Sequence, residues 1–337
     1  MAGFTWRSSF CASALAVLTG CGNHAPTRSA KRSPRPGWGA RVALAIDVHA
    51  DKPLDDFPVP IRLTPDRIDP TRYAADGHDL RFTDAAGVDL PYEIESISPT
   101  RGVVLWLRVP HLGTGATRVV MYFDNPKATY LAGSDSRSVW RAGFAGVFHC
   151  IDDGIDSSPS EDATNVVGTN PAEGVFGPGF YFATKKLDAL TATLPALAGD
   201  RTLCAWVRPD ALDGHARIAG STGFALDRER GGVRCGDATA ANGLAVDTWR
   251  YACCVHHAGS DSISIDGVPA GTPGRSRDDA PQAAFEVGGA HTDPPAKRFA
   301  GAIDEVRISR VARDANWLSA EAAARGNVVA FGAIENL

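Results

Sequence analysis

Apolar residues in this chain come in short runs, cut at close intervals by glycine, proline and aspartate, with no sustained helical period over most of the length. Such punctuation specifies strands and turns. In the first third, residues 41–48, 57–63, 79–83, 90–95, 103–110 and 117–123 read as strands. Pro58 and Pro60 place the second of these at a sheet edge, where a missing N–H breaks no ladder. The 35 glycines and 22 prolines fit an all-β chain with many turns.

The second half repeats the pattern over residues 146–151, 179–183, 201–209, 217–220, 223–227, 249–256, 262–269, 285–289 and 301–309. Asp266-Gly267 stands between two extended arms and predicts a tight hairpin. One helix is expected over residues 314–326. It is alanine-rich, with Asp314 as N-cap and Gly326 at its stop. Residues 327–334 then return as a final strand. The expected fold is all-β: an N-terminal β-sandwich over residues 38–135, a jelly-roll sandwich over residues 139–337, and one short C-terminal helix.

Arg7 precedes an apolar run from Phe10 to Leu18, interrupted by Cys11 and Ser13. The run is too short for a permanent membrane span and has signal-peptide length. It ends in Leu18-Thr19-Gly20-Cys21, which resembles the lipobox of bacterial lipoproteins. The resemblance implies a signal peptide over residues 1–20, a lipid on Cys21 and a cell-envelope location. Gly22, where retention in the inner membrane would use Asp, implies the outer membrane. Residues 22–37 carry Arg28, Lys31, Arg32 and Arg35 among serine and proline and read as a tether. A net charge of −5 without a basic patch argues against nucleic acid as partner.

Setting aside Cys11 and Cys21 leaves Cys150, Cys204, Cys235, Cys253 and Cys254. Five is odd, so at least one thiol stays free or pairs between chains. An oxidising periplasm permits disulfides. Cys253 and Cys254 point to opposite faces of a strand and cannot share one neighbour.

Three phrases carry a resemblance. Gly301-Ala302-Ile303-Asp304-Glu305-Val306-Arg307-Ile308-Ser309 resembles the closing signature of bacterial laminin-G-like, concanavalin A-like jelly rolls. Residues 203–209 (LCAWVRP) and 263–267 (ISIDG) match two further landmarks of that family in order. The earlier phrases at 79–84, 91–95, 106–110 and 121–125 resemble a bacterial domain of unknown function. That domain is associated with ExbB/TolQ/MotA-type proton-channel biopolymer-transport systems. The resemblance implies an envelope role and a link to those machines, but no reaction.

In such a jelly roll an acidic residue near the last strand often helps hold a structural calcium. Asp304 would do so with oxygens from an early loop, Asp152 foremost. Calcium needs six to eight oxygens. The alternative is that Asp304 orders a turn through backbone hydrogen bonds and Glu305 is solvated. His149 beside Cys150 reads as structural, since no third catalytic group is visible. His256 and His257 are expected to face solvent. Glu93 and Glu95 have the two-residue spacing of a glycosidase acid pair, but fall outside the jelly roll. Trp106 and Trp206 read as core, and Trp249, after a turn, as partly exposed. Three functions follow: recognition of a glycan or envelope polymer, a scaffold for a proton-channel complex, and, least supported, a glycan-processing enzyme.

Overall fold

Strand Ala40–Ile46 alternates buried and open positions, and strand Leu54–Leu63 is buried almost throughout. That contrast sets the architecture, because a strand buried on both sides must lie between layers. The computed structural model describes residues 35–183, 188–195, 197–276, 284–289, 294 and 297–337. The expected signal peptide, lipidated Cys21 and most of the tether lie outside the described residues.

In the first sandwich one sheet runs Val329–Asn336, Ala40–Ile46, Thr117–Phe123, Arg81–Thr83 and Asp89–Leu90. The facing sheet runs Leu54–Leu63, Gly102–Leu112 and Tyr92–Ser98. Val42, Leu44, Phe57, Val59, Leu105 and Leu107 fill the space between them. The proline-bearing strand is an edge, as its sequence predicts.

The final strand corrects the sequence reading. Val329–Asn336 does not close the jelly roll. It pairs with Ala40–Ile46, Ile46 opposite Val329 and Ala40 opposite Asn336. Arg41 meets Glu335 at 2.7 Å across that ladder. The first sandwich therefore uses both ends of the described chain, and the expected boundary at residue 139 does not hold for its last strand.

The jelly roll is one hydrogen-bonded path wrapped into two facing layers. Strand Arg201–Pro209 lies between Arg250–His257 and Gly301–Ser309. Alternation divides its side chains between two cores. Leu203, Ala205 and Val207 join Ala252, Cys254, Ile303 and Val306 inside the jelly roll. Cys204, Trp206, Tyr251 and Cys253 instead join the core containing Trp106 and Phe176. The jelly roll's near layer thus packs directly on the first sandwich.

The same alternation assigns the cysteines, whose pairing the sequence leaves open. Cys253 bonds Cys204 on the neighbouring strand. Cys254, facing the other way, bonds Cys235 on strand Gly232–Cys235. Cys150 is free and buried.

The C-terminal helix spans Ala315–Ala323, with Asp314 accepting a 2.8 Å hydrogen bond from Trp317 N–H. Trp317 packs edge-on against Phe57 at 4.9 Å. The hairpin at Asp266-Gly267 forms as expected, Ile265 opposite Val268, with both turn residues at positive φ (52° and 80°). A Cβ on Gly267 would lie 2.5 Å from Ser319 Cα, so glycine lets this turn abut the helix. A one-turn helix, Ser136–Val139, capped by Asp135, links the two sandwiches and is not foreseen by the sequence. Among the described residues no helix is long and apolar enough to cross a membrane.

Candidate functional site

The strand Gly301–Ser309 is buried at every position. Its register against Arg201–Pro209 shifts between the partners of Cys204 and Trp206, and Glu305 takes φ 52°. This is a β-bulge, and bulges re-aim side chains. Asp304 and Glu305 are consecutive, yet both are fully buried at the seam with the first sandwich. The alternative reading, in which Glu305 is solvated, therefore does not hold.

Glu305 meets His149, Nδ1 to Oε1 at 2.6 Å, and Arg307, Nη2 to Oε2 at 2.7 Å. From the first sandwich Glu93 approaches His149 Nε2 at 3.5 Å and Glu95 approaches Nδ1 at 3.9 Å. Trp106 donates to Glu95 at 2.8 Å, while Trp140 and Ser157 both donate to Glu93 at 2.5 Å. Arg307 lies 4.4 Å from the Trp106 ring and donates to Glu321 of the helix at 3.1 Å. Glu321 also accepts from Tyr251 at 2.8 Å. The spacing of Glu93 and Glu95 is visible in the sequence. Their meeting with His149 is not, because it crosses between two sandwiches.

Burial and mutual repulsion sort the charges. Burial, then the Glu305 charge, pushes the Glu95 carboxyl up to about 8. Burial, with Glu305 and Glu95 adding, holds Asp304 well above the carboxylate range. Burial opposes ionisation of Glu305 too, but His149 and Arg307 outweigh it and lower its pKa. Burial would lower His149, but Glu305 and Glu93 hold it well above the usual imidazole value. The balance favours an ionised His149–Glu305–Arg307 triad, with the carboxyls of Glu95 and Asp304 pushed toward the neutral form. The acid pair faces tryptophans and a histidine rather than a cleft.

Glu95, His149 and Glu305 have ligand atoms within 4.8 Å of one another. A cation there would displace the His149–Glu305 bond and sit beside Arg307, which this donor set does not favour. Asp304, the expected calcium ligand, accepts from Val175 N–H at 2.6 Å. Asp152 is exposed on a turn. Among the described residues neither belongs to a group of three ligating side chains. The early loop is ordered by Asp156, which accepts from the N–H groups of Val147, Ser158 and Asp162.

Trp106 and Trp206 are core, as expected. His256 is not solvent-facing: it is buried against Asp261 at 2.9 Å, while His257 is exposed beside Asp200. Trp249 keeps 9 % of its surface. That remainder lines an open hollow of about 600 Å³ with Trp206, Thr248, Arg250, Asp266, Ser319 and Arg325. Its walls are the Asp266-Gly267 turn, the strand Arg250–His257 and the C-terminal helix. Arg250 and Asp266 form an ion pair at 2.5 Å along it.

Residues 184–319 match the concanavalin A-like lectin/glucanases superfamily in its laminin-G form. Residues 76–161 match a domain of unknown function, DUF2341. The chain thus contains a laminin-G-like domain and a DUF2341 domain. No curated protein matches it. Among solved structures, the receptor-binding domain of botulinum neurotoxin type G is 13% identical, with TM-score 0.43, covering 54% of this chain and 51% of that one. The binding domain of Paraclostridial Mosquitocidal Protein 1 is 11% identical, with TM-score 0.44, covering 53% and 52%. The ligand-binding domain of botulinum neurotoxin serotype D, solved with N-acetylneuraminic acid, is 10% identical, with TM-score 0.44, covering 56% and 52%. The chain spans about half the length of these structures.

Proposed function

We propose that this chain recognises a glycan or envelope polymer without turning it over, held at the cell envelope by a lipid on Cys21. The hollow beside Trp249 carries this reading. Small-molecule sites combine apolar walls with a few fixed polar groups. Here the half-buried Ala322 and Ala323 and the exposed edge of Trp249 supply the apolar surface. Thr248, Arg250, Asp266 and Ser319 supply donors and acceptors of the kind sugar hydroxyls need. The acid pair supports binding over hydrolysis. Glu93 and Glu95 are held by tryptophan N–H groups at a buried seam. A glycosidase must place two carboxyls on either side of an accessible bond.

The test is a glycan array probed with the full chain, with calcium and with chelator. Selective binding supports the reading, and loss with chelator would bring calcium into it. A blank array under both conditions overturns it and favours a protein partner, such as a proton-channel complex.

A further inference from the structure

Arg325 lines the hollow beside Trp249 and also a second cavity of about 260 Å³ behind it, with Arg62, Thr64, Arg67 and Asn327. The three arginines come from separate places: the edge strand Leu54–Leu63, the loop after it, and the end of the C-terminal helix. Among the described residues none of them makes an ion pair. Each is instead fixed by neutral oxygens. Arg62 donates to Val175 O at 3.0 Å and to Arg325 O at 3.3 Å. Arg67 donates to Arg62 O and to Asn327 Oδ1, both at 3.2 Å. Arg325 donates to Trp249 O at 3.5 Å.

Each guanidinium also lies over an aromatic ring: Arg62 at 5.0 Å from Phe176, Arg67 at 4.9 Å from Phe331, Arg325 at 5.5 Å from Trp206. Rings and carbonyls orient the guanidinium planes and leave most of their five N–H donors unused. The acids near Arg62 do not neutralise it. Glu95 and Asp304 are buried and both are pushed toward the neutral form. Burial, then repulsion from Arg67 and Arg325, lowers the pKa of Arg62 despite those acids. Three oriented cations without an ion-pair partner among the described residues, set around a small cavity, are the donor set for an oxyanion, which guanidinium forks bind in pairs of parallel hydrogen bonds.

We propose that Arg62, Arg67 and Arg325 bind the carboxylate, sulfate or phosphate substituent of an acidic glycan whose sugar ring occupies the adjoining hollow between Trp249 and the C-terminal helix. The inference rests on the glycan reading and narrows it to acidic saccharides. Arg325 and Gly326 line both spaces, so the hollow and the arginine cavity adjoin and one ligand can span them.

The test uses the full chain against oligogalacturonate and neutral oligogalactose, with inorganic sulfate and phosphate as separate probes. Arg67→Gln/Arg325→Gln is compared with Arg67→Lys/Arg325→Lys, and thermal melts confirm folding. The acidic oligosaccharide is expected to bind about tenfold or more tighter than the neutral one, a preference the Gln pair removes. Sulfate should compete, and the preference should weaken with added salt. Equal binding of both sugars, unchanged in the Gln pair, overturns the oxyanion site while the glycan reading stands. Sulfate binding that the Gln pair abolishes, beside no binding of either sugar, removes the glycan and the ligand assigned here. No binding of any probe removes both.

Discussion

His149 Nδ1 and Glu305 Oε1 lie 2.6 Å apart, both side chains almost fully buried, where the jelly roll meets the first sandwich. The contact joins residues far apart in sequence and exists only because a bulge turns Glu305 toward the seam. Arg307 completes the charge balance at 2.7 Å. Removing one partner of a buried pair leaves the other uncompensated. Glu305→Gln is therefore expected to destabilise the fold by roughly 3–5 kcal/mol, read by denaturant unfolding. A change near zero would show the triad to be incidental.

Glu95 sets a pH dependence of opposite origin. Its folded pKa, about 8, stands above the ordinary 4.5. The native state then binds more protons than the unfolded chain between those values. The stability this gives is full below pH 4.5 and lost as pH rises through about 8. His149, also raised, adds a loss in the same direction above its ordinary 6.5. Glu305 is depressed, so its share is present above 4.5 and lost as pH falls through its lower folded value. Tm of the wild type should fall from pH 5 to pH 8, and Glu95→Gln should flatten that fall. An unchanged slope in the variant would remove Glu95 as its cause.

Gly177 seals the seam from the side of residues 174–179. A Cβ there would stand 2.3 Å from Glu95 Oε1, a buried oxygen without a hydrogen-bond partner among the described residues. Gly177→Ala should cost about 1–3 kcal/mol by overpacking. Gly115, with nothing within 4 Å of its Cβ position, is the control, and its alanine variant should melt with the wild type.

The two disulfides stitch different faces of one strand. Cys254 ties it to Cys235, closing a short loop of sequence separation 19. Cys235→Ser/Cys254→Ser should lose about 3 kcal/mol, seen as a lower Tm under oxidising conditions. Cys150 is buried, and burial pushes its thiol well above its ordinary pKa. It should resist alkylation until denaturant is added. Rapid labelling of the native protein at Cys150 would contradict its placement.

Much of the fold was legible in the sequence because its signals are local. The Asp266-Gly267 turn, the Asp314 cap and the edge prolines each state their structure within a few residues. Strand composition says nothing about which sheet the final strand joins, and Val329–Asn336 pairs with a strand almost 300 residues earlier. The sequence offers a solvated Glu305 as one of two readings beside Asp304, and places His256 in solvent because it ends a strand. Their partners, His149 and Asp261, are set by sheet register and by a bulge that leaves no mark in composition. The paired spacing of Glu93 and Glu95 was visible, but not the histidine they face. The arginine cavity draws on the edge strand, its loop and the helix end, and no local motif joins these.

Membrane attachment has its own test. Cys21→Ser should move the protein from the membrane fraction to the soluble fraction after export. Continued membrane association would refute the lipid anchor.

The measurement that bears most directly on recognition is titration of an array-selected glycan into the wild type and Ser319→Trp. Ser319 is an exposed helix residue lining the hollow, so a bulky ring there fills the space without entering the core. The account predicts saturable binding by the wild type and its loss in the variant, with Tm unchanged. Equal binding by both proteins would contradict it and place recognition elsewhere on the surface.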